Sequence, residues 1–194
     1  MSGRQFELLL SHLSFTTDNP PPYRDHLWEV RPMLTAFKKH FANTFIPSWI
    51  ACLDESMSIW NSRWTCPGWV FCPRKPHPQG NEYHTICCGK TGILFDIEVV
   101  EGRDRPTQLG KPEYEVEHGK TGGLLLRLTK SIHQSARYVV LDSGFCVLKG
   151  LISLVKSGVF ACALIKNTGT GLPTAKVTSL TSTSLGRMLA TQLL

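Results

Sequence analysis

The sequence has little that would place the protein in a membrane or in an oxidising compartment. It contains no run of about 18 apolar residues, so no transmembrane helix is expected. The N-terminal apolar patch is too short and too interrupted for a signal peptide. The seven cysteines are odd in number and irregularly spaced, which indicates reduced thiols rather than a disulfide framework. We therefore expect an intracellular protein with no membrane partner.

Two familiar site motifs are incomplete. Gly-Lys-Thr triplets begin at Gly89 and Gly119, but a phosphate-binding loop also needs a glycine five positions earlier, where His84 and Tyr114 stand. The first triplet is therefore predicted to be a hairpin turn and the second a helix start. A zinc site is only weakly indicated, because its four candidate ligands lack a close cysteine pair: Cys66, Cys72, His77 and His84. Ordinary thiols are the better interpretation.

What the chain does have is positive charge and the apolar content of a globular domain. Its net charge is +6, and 42% of its 194 residues are hydrophobic. A basic balance favours anionic partners such as nucleic acid, although a solvated basic surface has the same composition. The length suits one ordinary domain or a fragment of a larger one.

The hydrophobic patterns predict an α/β sheet of mixed direction. A helix with apolar residues from Leu27 to Phe41 is expected either to be kinked or to begin late near Arg31, because Pro32 interrupts the pattern. A strand in SWIACLDE precedes an antiparallel meander with strands in WVFC, YHTICC and ILFDIEVV. Helix, strand, helix and strand follow in GKTGGLLLRLTKSIHQ, RYVVLD, VLKGLISLVKSG and VFACALIK. In ILFDIEVV, Asp96 and Glu98 are predicted to form an exposed face.

Composition divides the chain into three segments. We expect an N-terminal segment (1–22), one α/β domain (23–166) and a tail (167–194). Ten of the 28 tail residues are Ser or Thr and none is acidic. Such a composition is typical of disorder.

Two acids stand where predicted strands end. Asp54 follows the apolar run IACL, and Asp142 follows RYVVL. Strand ends converge at one edge of an α/β sheet, and two carboxylates brought together there would repel each other unless a divalent cation shared them. Mg²⁺ accepts such an arrangement. The alternative is that each acid caps the turn or helix that follows it.

A proline-rich loop carries two cations close in sequence to further basic and aromatic residues. Arg74 and Lys75 lie in PRKPHPQG, and Arg63, Trp64 and Trp69 precede it. Cations beside aromatic residues on a rigid loop suit contact with a phosphate backbone. An ordinary exposed loop has the same pattern, so both interpretations stay open.

Four stretches, in this order, resemble the piggyBac-type DDE transposases and their domesticated, transposable-element-derived relatives: LDESM, PRKPHPQG, CCGKTGILFDIEVVEGRD and the segment that begins YVVLDSGF. The similarity runs from about Ser11 to Lys166. It implies an RNase H-like fold and metal-dependent DNA cleavage and strand transfer. It also implies that Asp54 and Asp142 are the first two of three catalytic acids, with Glu55 as a secondary metal ligand.

The same resemblance implies a cofactor and partners. Two Mg²⁺ or Mn²⁺ ions, roughly 4 Å apart, would serve an in-line phosphoryl displacement. The DNA partners would be transposon ends and target, in the nucleus, with a family-like dimer as an option. The DNA contacts would come from Arg63, Arg74, Lys75 and Lys90.

The chain also departs from the family pattern. Ser143 and Gly144 replace the asparagine and aromatic residue after the second aspartate, and Pro78 and Glu82 stand where the family has more lysines. No acid follows Asp142, so the third carboxylate and the C-terminal zinc module are missing.

From these departures we expect a C-terminally incomplete domain that is inactive by itself. A frameshift or an altered gene model after Lys166 would explain the tail. The first alternative is a domesticated, non-catalytic DNA-binding or interaction protein. The second is a pseudogene product without a stable fold.

Overall fold

The computed structural model describes residues 2–73 and 75–164. Arg74 and the predicted tail (167–194) therefore lie outside the described residues. The helices are α1 (Gly3–Ser11), α2 (Arg31–Thr44), α3 (Glu115–Leu128) and α4 (Leu148–Lys156). The strands are β1 (Ile50–Ile59), β2 (Trp69–Phe71), β3 (Gln79–Cys88), β4 (Leu94–Val99), β5 (Tyr138–Leu141) and β6 (Phe160–Ala163).

All six strands join one mixed sheet, as the sequence predicts. β1 pairs antiparallel with β3 on one side and parallel with β5 on the other, and β6 extends the parallel part beyond β5. On its far side β3 pairs with two strands placed end to end: β2 along residues 79–81 and β4 along residues 83–87. Asn81 lies where these two strands meet, and its Nδ2 donates to the carbonyl of Pro67 at 2.5 Å.

Helices α3 and α4 cover one face of this sheet, which we call the helix-packed face. Their Leu124, Leu125, Leu128 and Leu154 form a single core with strand residues. A buried leucine contributes roughly 1.5–3 kcal/mol to stability. The strand residues of this core include Ala51, Leu53, Ile86, Val139 and Leu141.

The two helices approach closely at a pair of glycines. A Cβ on Gly150 would lie 3.1 Å from the Cα of Gly122 and 3.0 Å from Cδ1 of Leu125. Only residues without side chains let the backbones come so near. The glycines therefore set how tightly α3 and α4 pack over the sheet.

Helix α2 begins where Pro32 predicts. Arg31 is its first residue, and Pro32 lies in the first turn, where a missing N–H breaks no helical hydrogen bond. The helix packs beside β4, with the Phe45 and Phe95 ring centroids 6.1 Å apart. Residues 15–30 therefore precede the helix as a non-helical segment that reaches the edge of the sheet.

Three sequence-based expectations need correction. β1 is longer than predicted, because residues 54–59 keep pairing with β3 after the pairing with β5 has stopped. Helix α3 begins at Glu115 rather than at the second Gly-Lys-Thr, although Gly119 (φ 73°, ψ 176°) kinks it there. Helix α1 was not predicted, although Ser2 and Gln5 form a capping box whose sequence signature is readable.

The predicted polar face of β4 is wrong. Asp96 is only 8% exposed and lies opposite the fully buried Ile86. Burial raises the pKa of Asp96, and the ammonium group of Lys38, 3.1 Å away, opposes that rise. A register shift between residues 86 and 87 turns the acids of β4 toward the helices, where cations of α2 and α3 pair with them.

Candidate active site

Asp54 and Asp142 lie side by side on neighbouring strands. Leu53 pairs with Leu141 in the parallel ladder of β1 and β5, and each acid is the next residue of its chain. Neighbouring strands run about 4.8 Å apart. The structure therefore brings together the two acids that the sequence singled out, at the point where the β1–β5 ladder ends rather than at the end of β1.

The pair belongs to the face of the sheet opposite the helices, which we call the open face. Side chains alternate between faces along a strand, and Leu53 and Leu141 point into the core. Asp142 keeps an extended backbone (φ −70°, ψ 164°), so the alternation continues through it. Both acids are exposed, and Val140, on the same face, is 40% exposed.

Capping does not account for either acid. Asp54 lies inside a strand, and its Oδ1 accepts a hydrogen bond from the backbone N–H of Glu55 at 2.8 Å. Asp142 precedes the 3-10 turn Ser143–Phe145, but its side chain makes no capping hydrogen bond to that turn. The alternative that each acid is an N-cap is therefore not supported.

The donor chemistry of the pair fits a hard divalent cation. Two exposed carboxylates offer oxygen ligands, and Mg²⁺ commonly takes one or two carboxylates and fills its remaining positions with water or phosphate oxygens. Within residues 2–73 and 75–164, no cluster of three or more His, Cys, Asp or Glu could hold a metal ion.

Glu55 does not join the pair. As the residue after Asp54, it points to the helix-packed face. Its Oε1 lies 3.3 Å from Nζ of Lys75, and the same Nζ donates to the Glu55 carbonyl at 3.4 Å. The structure thus gives Glu55 an ion pair on the face opposite to the one it would need as a secondary ligand.

The helix-packed face also carries a cleft of about 710 Å³ that sequence reasoning missed. Glu55, His84 and Glu98 lie in one row across β1, β3 and β4 at its floor. His84 Nε2 is 3.5 Å from Glu82 Oε1, and a hydrogen bond from His84 lowers the pKa of Glu82 against the effect of burial. Charged residues at alternate positions of β3 and β4 were the available signal.

Cations also close this cleft on its helix side. Arg127 of α3 donates to both oxygens of Glu98, at 2.8 and 2.5 Å. The acids of the floor are therefore paired with side chains of the protein itself, and the two acids across the sheet, Asp54 and Asp142, are exposed.

The sequence as a whole matches one protein family. The family model described as "Transposase IS4", a DDE transposase model, matches residues 1–192. The chain belongs to this transposase family. No curated protein matches the transposase chain.

The fold agrees with that assignment. A solved piggyBac transposase, in a synaptic complex with hairpin DNA, superposes with a TM-score of 0.73 at 19% sequence identity. The match covers 90% of this chain and 36% of that one, so the chain spans about a third of the length of the protein it resembles. The predicted RNase H-like α/β fold and the piggyBac-type resemblance are thereby confirmed.

The structure places the predicted DNA-contacting cations of the transposase domain at different points along β3. Lys90 lies in the turn between β3 and β4, Arg63 lies beyond the other end of β3, and Nζ of Lys75 reaches Glu55, which pairs with the middle of β3. A ten-residue strand such as β3 is roughly 30 Å long. Arg74 lies outside the described residues.

Several aromatic residues lie at the same end of the sheet as Arg63. The Arg63 guanidinium lies 4.4 Å from the ring centroid of Trp64, which is 78% exposed. Nearby, the rings of Trp69 and Phe71 are stacked with centroids 6.5 Å apart, and Trp69 Nε1 donates to the Trp60 carbonyl at 3.2 Å. Exposed aromatic faces beside a cation are able to stack on nucleic-acid bases.

The weak zinc prediction gains no support. Cys66 is buried, and burial raises the pKa of its thiol. All seven cysteines are free. Ordinary reduced thiols, the preferred interpretation of the sequence, agree with this geometry.

Ser143, which follows Asp142 where the family has an asparagine, is buried. Its Oγ has no hydrogen-bond partner within the described part of the chain.

No helix among the described residues has the length and apolarity needed to cross a bilayer.

Proposed function

We propose that the chain is a DDE transposase domain that binds DNA and holds a divalent cation between Asp54 and Asp142. The supporting observation is the register of β1 and β5. It sets two exposed carboxylates next to each other, both on the open face.

The residues on the two faces of the sheet have different proposed roles. Asp54 and Asp142 would ligate the ion, while Glu55 and Lys75 hold the strand and the proline-rich loop together on the opposite face. When bound, a divalent cation would polarise a phosphate oxygen and lower the pKa of a bound water. The chain's own contribution is to fix two like charges side by side on a rigid strand pair, so that DNA approaches them from the open face.

We further propose that this polypeptide alone does not complete strand transfer. No Asp or Glu follows Asp142 in the sequence, and two carboxylates hold Mg²⁺ only weakly. The second candidate function is a non-catalytic DNA-binding protein derived from a transposase. Nuclear location and dimer formation belong to this proposal as its untested parts.

The metal site is tested by Mn²⁺ binding followed by electron paramagnetic resonance. Asp54→Asn and Asp142→Asn should each weaken binding about tenfold or more, since each removes one of two anionic ligands. Glu55→Gln is the matched control, because it removes a neighbouring carboxylate on the other face. Equal loss in all three variants, or no loss in the first two, would contradict the site.

The proposed function is tested by measuring the binding and the nicking of duplex DNA. We expect binding whose affinity falls steeply with salt and no Mn²⁺-dependent nicking. Nicking that disappears in Asp54→Asn would show that the two acids suffice for cleavage, and it would exclude the non-catalytic alternative. Absence of salt-dependent DNA binding would refute both candidate functions.

A further inference from the structure

A second, smaller cleft lies away from Asp54 and Asp142, where two loops meet. Residues 23–26 form one wall and residues 103–108 the other, around about 300 Å³. That volume is at the lower end for a small-ligand site. Its lining is unusually basic and includes Arg24, His26, Arg103, Arg105 and a single acid, Asp104.

Both walls are fixed by one chain of buried ion pairs. Asp25 is 7% exposed and is held by Arg31, whose Nε lies 2.5 Å from Asp25 Oδ2. Arg31 also donates to both oxygens of Glu101, at 2.5 and 3.2 Å. Glu101 in turn accepts a hydrogen bond from Arg105 at 2.7 Å. The cleft is therefore rigid without a ligand.

The acids near the cleft already have partners within the protein. Asp25 and Glu101 face inward to Arg31, and the Asp104 carboxylate accepts the backbone N–H of Gly68 at 3.2 Å. Arg24 and Arg103 remain exposed, and neither takes part in the ion pairs found among the described residues. Two exposed guanidinium groups thus line a preformed cleft, and neither forms an ion pair with Asp104, the one acid of the lining.

We propose that this cleft is a phosphate-binding site, with Arg24 and Arg103 as its ligands. A planar guanidinium donates two parallel hydrogen bonds to phosphate oxygens, which an ammonium cannot do. Because the ion pairs already hold the two walls together, little backbone entropy is lost on binding. This inference rests on the proposed function: the phosphate belongs to the DNA backbone. The cleft is then a DNA contact remote from the open face.

Two titrations separate the sources of phosphate. In the first, inorganic phosphate is added to the full chain and arginine side-chain resonances are followed by NMR. We expect saturable shifts at Arg24 and Arg103 that are lost in the Arg24→Gln/Arg103→Gln variant and kept in Arg4→Gln, an exposed arginine of α1. Shifts that spread equally over all arginines would overturn the site.

In the second titration, duplex DNA binding is measured against salt concentration. Each lost phosphate contact should reduce the slope of log affinity against log salt by about 1. We expect a reduction of about 2 for the double variant and none for a variant without a DNA contact, Arg4→Gln. Equal slopes in the double variant and the wild type would overturn the DNA assignment.

The outcomes also distinguish this proposal from the proposed function. If no variant or wild-type protein binds DNA but inorganic phosphate still binds through Arg24 and Arg103, the DNA function fails while the phosphate site stands for a free phosphate. The melting temperature of the double variant checks its fold. It should match that of the wild type, because neither arginine belongs to the buried ion pairs.

Discussion

The acids on the two faces of the sheet are treated differently. On the helix-packed face, every strand acid described above has a basic side chain within 3.5 Å: Lys75 at Glu55, the His84 imidazole at Glu82, Lys38 at Asp96 and Arg127 at Glu98. On the open face, Asp54 accepts one hydrogen bond from a neighbouring amide and lies beside a second carboxylate. Burial costs free energy unless a charge is paired, so pairing offsets this cost in the first group. Asp54 and Asp142 are the two carboxylates for which we propose a divalent ion.

The largest effect should come from the core that creates this difference. Leu125→Ala removes a fully buried side chain from α3 and should lower the free energy of unfolding by about 3–4 kcal/mol. Urea unfolding measures it. The control is Val140→Ala on the open face, which we expect to cost less than about 1 kcal/mol, because Val140 is already 40% exposed. Similar losses of unfolding free energy for the two variants would mean that Val140 is buried as deeply as Leu125, which would contradict an uncovered open face.

The next largest loss of stability is expected when the cation of a buried ion pair is removed. Arg31→Ala leaves the buried Asp25 without its cation and leaves Glu101 with Arg105 alone, and we expect a loss of about 3 kcal/mol. Arg103→Ala, an exposed arginine on the same side of the molecule, should cost less than about 0.5 kcal/mol. If urea unfolding gave equal values, buried pairing would not be what distinguishes these acids.

The pairing should also be visible in the pH dependence of stability. Desolvation by burial raises the pKa of Asp25, but hydrogen bonds from Arg31 and from the Leu27 amide, together with the charge of Arg31, lower it by more, so the net pKa is lowered. A carboxyl whose pKa is lowered by folding stabilises the protein above its unfolded pKa, and that contribution is lost as the pH falls through the folded pKa. Unfolding of wild type and Asp25→Asn from pH 7 downward should therefore converge in acid. Parallel curves would contradict the paired state.

The smallest effect is expected at the open face, and its sign should depend on metal. Without a divalent ion, Asp54→Asn removes repulsion between neighbouring carboxylates and should stabilise the fold by a few tenths of a kcal/mol. With saturating Mn²⁺ the wild type should gain stability from binding and the variant should not. Melting temperatures in EDTA and in Mn²⁺ measure both. A variant that is less stable in EDTA would show that Asp54 has a structural role.

Local patterns predicted the elements but not their faces. The late start of α2 at Pro32, the hairpin turn at Gly89 and the order of strands and helices from SWIACLDE onward all followed from residue types and periodicity. The exposed face assigned to Asp96 and Glu98 did not, because alternation shows that a strand has two faces and not which one receives the helices. A one-residue register shift beside Ile86 decided that.

The candidate site was predictable to the same degree. Asp54 and Asp142 were identified as a pair because acids directly after apolar runs stand at sheet edges. The separation of Glu55 from them follows from strand alternation once β1 is known to continue through residue 59. The ion-pair chain through Arg31 joins residues 70 or more positions apart, and no local pattern reports such a contact.

The sequence by itself determined the family, the mixed α/β class and the two acids, since these depend on residue identity and on short-range periodicity. The tertiary structure decided which charges are compensated. Compensation depends on which side chains reach each other across strands and loops, and that is set by register, by the close approach of α3 and α4 and by the way residues 23–31 reach the edge of the sheet. For that reason the charged cleft under α3 and the arginine-lined cleft at Arg24 and Arg103 became visible only in three dimensions.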